Sequence, residues 1–277
     1  MSKEIKDIGR LIEWLKVDSK RWKLRLQKTK IDTHPTTLAI SKIISEIEVV
    51  QSEMSRIAEK KLVEVPEWEN WFKYVSGASS NIFVQIYAHI DWKKVKSCSS
   101  LPSYVGIGKR QGNKYIKSLA IQQSALFCGF NSPIVKKLRM GVVRVKKGAY
   151  ARFFQDEVLK YSKQLVDSSE RFKNFTPMNL VLYCLTNTAQ LWLSHLTMVH
   201  FWLNHKILLL PYSVVHAGHD WVYLPPLDKK NDEDWVNEME DAIYDQGVKP
   251  VVMDNVVRSG EEMKKLLPSK YLELLSK

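Results

Sequence analysis

TPMNLVLYCLTNTAQLWLSHLTMVHFWLNHKILLLP, residues 176–211, is the stretch whose reading decides the fold. Thr176 and Pro177 have the form of a helix opening, and Pro211 is expected to end the helix. Leu180–Leu210 is the most apolar run of the chain, yet Asn187, Gln190, His195, His200, Asn204, His205 and Lys206 interrupt it. That is too polar for a membrane span and reads as a buried helix. The residues before it follow the same period. Tyr150, Phe153, Phe154, Val158, Tyr161 and Leu165 lie at core spacing after Gly148, and residues 114–128 read as a helix ending near Gly129. Ser132-Pro133 has the form of a cap and first position of another helix. Downstream, residues 211–227 read as a loop rich in His, Tyr and Pro, followed by helices over about 232–245 and 259–275. Only Val142–Val145 and Lys249–Val257 read as strands.

Further towards the N-terminus, Ile5, Ile8, Ile12, Leu15, Trp22 and Leu26 mark a helix over 4–29. His34-Pro35 breaks it, and Thr36 or Thr37 suits the cap of a second helix over 37–63. This amphipathic pair predicts an antiparallel hairpin, serving as a packing arm or as a device for homo-oligomer formation. The expected fold is mainly α: a helical hairpin (1–65), a basic multi-helix domain (66–227) and an acidic helical tail (228–277).

Charge points to a partner. The chain of 277 residues carries a net charge of +12. From Trp92 to Gln155 it has no acidic residue and fourteen Lys and Arg, where 30 acids spread evenly would place about seven. A surface of this kind repels itself unless something negative lies against it, and nucleic-acid phosphate is the commonest such partner. Solubility alone is the plainer reading. Residues 228–277 are net negative, either a shield for the basic surface or a solvated face.

Trp68–Trp92 reads as a helix-hairpin-helix unit with its turn at Gly77, Ala78, Ser79, Ser80 and Asn81. Free N–H groups there would point at a phosphate. A plain helical hairpin in the core is the alternative. Gly106–Asn113 pairs glycines with Lys109 and Arg110, as a phosphate-wrapping loop does, without the ending of a Walker loop. Trp92, Tyr104, Tyr115, Phe127, Phe130 and Tyr150 suit base stacking or the core equally.

Five of the seven histidines fall between His195 and His219. The spacing of five turns His195, His200 and His205 away from a common face. His216 and His219, beside Asp220, are the only pair suited to a metal or catalytic role, and buried or loop-structuring histidines are the favoured reading. No cofactor motif is present. Three cysteines at spacings of 30 and 56 fit no metal or redox motif and suit a reducing, intracellular compartment, cytoplasmic or nucleoid-associated. The first residues lack the apolar core of a signal peptide. The acid-free middle supplies no carboxylates for two-metal nuclease chemistry.

In motif order the chain resembles the C-terminal half of transposases of the bridge-RNA-guided recombinase class, especially their archaeal relatives. The matching stretches are VPEWENWFKYVSGASSNIFVQIYAHIDW, LPSYVGIGKRQGNKYIKS, AYARFFQDEVLKY, LWLSHLTMVHFW and LPYSVVHAGHDWVYLPP, within Val65–Pro226. The resemblance implies nucleic-acid binding and a mobile-element or viral ancestry. The family's RNase H-like domain has no counterpart here, and Gly106–Asn113 holds no serine for its nucleophile. The expectation is a non-enzymatic DNA-binding (or RNA-binding) protein outside any membrane, derived from a transposase. Its contacts would be Gly77, Ser79, Ser80, Asn81, Lys93, Lys94, Lys96, Lys109, Arg110, Lys114, Lys117, Lys136, Lys137, Arg139, Arg144, Lys146 and Lys147. The alternatives are a strand-transferase or nuclease using His195, His216, His219 and Asp220, and a structural component of a virion or ribonucleoprotein.

Overall fold

A computed structural model describes residues 3–28, 35–107, 113–130, 145–166, 176–228 and 234–276. The fold is mainly α, as the periodicity predicts. The chain divides into two compact units, Met1–Glu69 with Ser80–Ile90, and Asn70–Ser79 with Asp91–Lys277.

The first unit is built on α1 (Lys3–Lys28) and α2 (Pro35–Lys61). The second helix starts at Pro35, ahead of the cap expected at Thr36 or Thr37, because the fixed φ of proline suits a first helical position. After the single turn α3 (Pro66–Glu69) and a short 3-10 turn, α4 (Ser80–His89) joins this pair, so the hairpin is in fact a three-helix packing. Ile5, Ile8, Ile12 and Leu15 of α1 are buried, as are Ile40 and Ile44 of α2. Gly9 lets α1 approach α4 closely. A Cβ there would lie 2.5 Å from the Ala88 Cβ and 2.7 Å from the Val84 carbonyl oxygen. Buried polar groups are paired: Tyr87 donates its hydroxyl hydrogen to Glu67 at 2.9 Å, and Lys16 donates to the Gln85 amide oxygen at 3.1 Å. Burial lowers the pKa of that lysine.

The second unit is organised around α8 (Pro177–His205). Thr176 caps it, its hydroxyl accepting the Asn179 N–H, and Pro177 follows at the first position. His195 to His200 are six consecutive buried residues, so this helix is covered on every side. The helix ends well before Pro211. Lys206 adopts a left-handed conformation (φ 53°), and the N–H of Ile207 reaches back to the Phe201 carbonyl. That is a Schellman-type stop, which releases the chain five residues before the proline. Around α8 pack α5 (Ser100–Val105), α6 (Lys114–Phe127) and α7 (Ala149–Val166).

The acidic C-terminal segment belongs to this unit. After the short α9 (Tyr212–Val215), β1 (Trp221–Tyr223), α10 (Asp234–Asp245) and β2 (Lys249–Val251) form a small βαβ turn with parallel strands, Val222 opposite Pro250. The strand β1 lies inside what the sequence presents as loop; three residues are too few to show alternation. Then α11 (Gly260–Leu266), opened by a Ser259–Glu262 capping box, and α12 (Ser269–Ser276) place Met263, Leu267 and Tyr271 in one core with Phe130, Phe154, Leu180 and Cys184. Ion pairs from Arg152 to Asp254 and from Arg258 to Asp156 join the segment to α7. Among the described residues no helix is long and apolar enough to cross a membrane. The strand expected at Val142–Val145 and the helix after Ser132-Pro133 fall mostly or wholly outside the described residues.

Two substitutions test these packings. Gly9→Ala should lower unfolding free energy by about 1–3 kcal/mol in urea denaturation, although alanine is the better helix former. Leu267→Ala should cost about 2–5 kcal/mol and lower the melting temperature, whereas an acidic extension outside the core would leave it unchanged.

Candidate nucleic-acid interface

The acid-free stretch places lysines where local structure gains nothing from them. Lys114 and Lys117 stand in the first turn of α6, and Lys146 and Lys147 immediately precede the first turn of α7. A cation at a helix N-terminus opposes the macrodipole, at a cost of about 0.3–1 kcal/mol each. Asn113 satisfies the start of α6 instead, its side-chain oxygen accepting the N–H groups of Tyr115 and Ile116. Lys93 and Lys94 lie on a 3-10 turn capped by Asp91, which also pairs with Lys94 at 3.4 Å; Lys96 follows, exposed. Among the described residues, Lys93, Lys96, Lys114, Lys117, Lys146 and Lys147 form no ion pair. Lys109, Arg110, Lys136, Lys137, Arg139 and Arg144 lie outside the described residues.

Lys146 and Lys147 meet Lys73 around a hollow of about 450 Å³, whose wall also includes Ser76, Gly77 and Phe127. Gly77 has φ +85°, and a Cβ there would lie 2.5 Å from the Leu126 carbonyl oxygen, so only glycine fits. Fully buried Gln123 clamps the turn from both ends. Its amide donates to the Gly77 carbonyl at 2.9 Å and accepts the Ser79 N–H at 3.1 Å. Asp228 holds the other wall, accepting the Ser76 N–H at 2.8 Å and the Ala149 N–H at 2.9 Å. The donors expected to face a phosphate are therefore committed within the protein. Ser79 N–H serves Gln123, the Ser80 hydroxyl donates to Glu59, and the Asn81 amide donates to Ser55. The hollow's lysine side chains remain on its wall. Sequence reading missed Lys73, Gln123 and Asp228; Gln123, a polar residue on an otherwise apolar helix face, was the one visible sign.

No protein-family model, curated protein or solved structure matches this chain.

The aromatics near the basic stretch divide. Phe127, Phe130 and Tyr150 are core, Trp92 stacks on His200 with ring centroids 3.5 Å apart, and Tyr104 is exposed. The histidines separate too. His195 is buried, with Nδ1 2.8 Å from the Tyr150 hydroxyl and no hydrogen-bond partner at Nε2. Burial pushes its pKa down to about 3, against a weaker upward pull from the Tyr223 backbone, so the ring is neutral near pH 7. His200 and His205 bring ring edges to 5.9 Å in spite of their spacing, at the frayed end of α8. His216 packs on Tyr212 and His219 on Trp221. Asp220 is exposed, and its backbone carbonyl accepts the Lys249 N–H. His195 and His219 line one cleft of about 520 Å³; His216 and Asp220 do not. Among the described residues no three His, Cys, Asp or Glu side chains gather as a metal site. All three cysteines are free and buried, and burial raises each thiol pKa, so none is poised as a nucleophile.

The depressed pKa of His195 has a definite sign. Below pH 6.5 the unfolded chain binds a proton that the folded chain refuses, so this contribution, present above 6.5, is lost as pH falls towards 3. Urea denaturation at pH 7 and pH 4.5 should show wild type losing about 2–3 kcal/mol more between the two than His195→Gln.

Proposed function

We propose that this protein is a non-enzymatic nucleic-acid-binding module that grips the phosphate backbone, DNA in the first instance, through the lysines of its acid-free region. The observation that carries the reading is the hollow where Lys73, Lys146 and Lys147 converge over Gly77 with no carboxylate in its wall. The one nearby acid, Asp228, already has both oxygens engaged by backbone N–H groups. Lysines at two helix N-termini add to this, because their cost to the helices is offset once a polyanion lies across them. The buried thiols and the neutral His195 support a binding role over a catalytic one. The order of motifs shared with the bridge-RNA-guided recombinase class agrees with a transposase-derived module without catalysis. Exposed Trp14, Leu38 and Val49 on α1 and α2 offer apolar surface that a second copy would cover.

The test is a binding titration against duplex, branched and single-stranded DNA and against RNA, at several salt concentrations, with and without Mg²⁺. With six lysines each neutralising one phosphate, the log–log salt slope on duplex DNA should be about −5. Lys146→Ala with Lys147→Ala should reduce that slope by about 2 and weaken all sequences alike. A slope near zero sinks the proposal, and Mg²⁺-dependent cleavage would replace it with an enzyme.

A further inference from the structure

The second cavity of the larger unit has a different chemistry from the lysine hollow. Its walls carry four flat rings: Phe153 of α7, Tyr212 of α9, and Trp221 and Tyr223 of β1. Tyr212 is 60% exposed and Trp221 38%, unusually open for rings of that size, so each presents a face to solvent. Trp221 and Tyr223 stand edge-to-face with centroids 4.9 Å apart, a corner into which a third flat ring can slide. Polar groups converge on the same space. Gln190 is exposed on α8, and its side-chain amide has no partner among the described residues. Asn187 adds a second amide, already donating to Glu157. His195 contributes from a fully buried position, with its Nε2 unpaired. Lys160 is the one cation in the lining, and there is no carboxylate. Its contact with Glu157 spans 3.5 Å and its ammonium is largely exposed, a weak pairing that an anion can displace.

Flat rings, amides that offer a donor beside an acceptor, and a lysine at the edge together match a nucleobase carrying its phosphate. The volume of about 520 Å³ suits a small-molecule site. We propose that this cleft receives one unstacked base of a bound single strand. The base packs against Trp221 and Tyr212 and presents its edge to Gln190 and the imidazole of His195, while its phosphate lies towards Lys160. A neutral imidazole serves here as a hydrogen-bonding group, donor or acceptor according to the direction of its bond with Tyr150. This inference deepens the nucleic-acid reading and rests on it.

The experiment compares the full-length protein with Trp221→Ala, Tyr212→Ala and Trp221→Phe. The probes are a 20-nucleotide single strand, the corresponding duplex, and free adenosine monophosphate. Loss of one base stack should weaken single-strand binding by about 5- to 150-fold in Trp221→Ala. Trp221→Phe should recover most of it, and duplex affinity and salt slope should stay as in wild type. If wild type binds strands with the expected salt dependence but both alanine variants match it, the cleft is not a base site and the lysine interface stands. Adenosine monophosphate bound by wild type and lost in Trp221→Ala, with no strand bound, would keep the base in the cleft and overturn the interface. No binding of any probe would overturn both.

Discussion

Complete burial of α8 is the constraint on which the larger unit depends. A helix with apolar side chains on every face has no surface to offer water, so other elements must cover it all round. Here α5, α6, α7 and the C-terminal helices do so. The polar side chains that interrupt its apolar run are accommodated one by one. Thr188 and Thr197 hydrogen-bond back to carbonyls one turn earlier, Trp192 reaches the Ala120 carbonyl, and Trp202 donates to the Trp235 carbonyl. The last of these fastens the βαβ segment to the central helix, which is how a region with an acidic composition comes to be part of the core.

Much of this architecture follows from the pattern of apolar residues. The period of 3.6 located α1, α2, α6, α7 and α8 within a few residues, since long helices repeat their signal many times. Short elements repeat it too few times to be seen. The six residues of α5 and three of β1 were invisible for that reason, and the Schellman stop at Lys206 was hidden because lysine carries no preference for a left-handed conformation. The lysines were found by the absence of acids around them. The hollow that gathers three of them was not, because it depends on Gln123 and Asp228, separated by more than a hundred residues. The aromatic cleft likewise joins α7, α8, α9 and β1, and no local spacing encodes such a meeting.

Charge in the larger unit is segregated by purpose. Acids of α7 and of the C-terminal segment pair with arginines: Arg152 with Asp156 and Asp254, Arg258 with Asp156. Arginine suits this work because its fork of donors serves two acceptors at once. The unpaired cations of the acid-free stretch are lysines instead, compact charges on flexible stems, better suited to a polyanion of variable geometry. A protein of this charge distribution associates with its partner faster at low ionic strength, because the field of the whole surface steers encounter.

Asp228 carries a consequence for how the protein comes into being. One carboxylate ties Ser76 to Ala149, and the Gly148 N–H reaches the Asn255 carbonyl. The loop bearing Lys73 and the strand of chain bearing Lys146 and Lys147 are thus held by residues made much later in synthesis. While the chain emerges from the ribosome, its basic middle is exposed for the time needed to add roughly a hundred residues, beside ribosomal RNA of opposite charge. Domains complete themselves from the N-terminal side as they are made, so the first unit can fold during that interval. The lysine hollow cannot take its final shape until translation has passed Asn255.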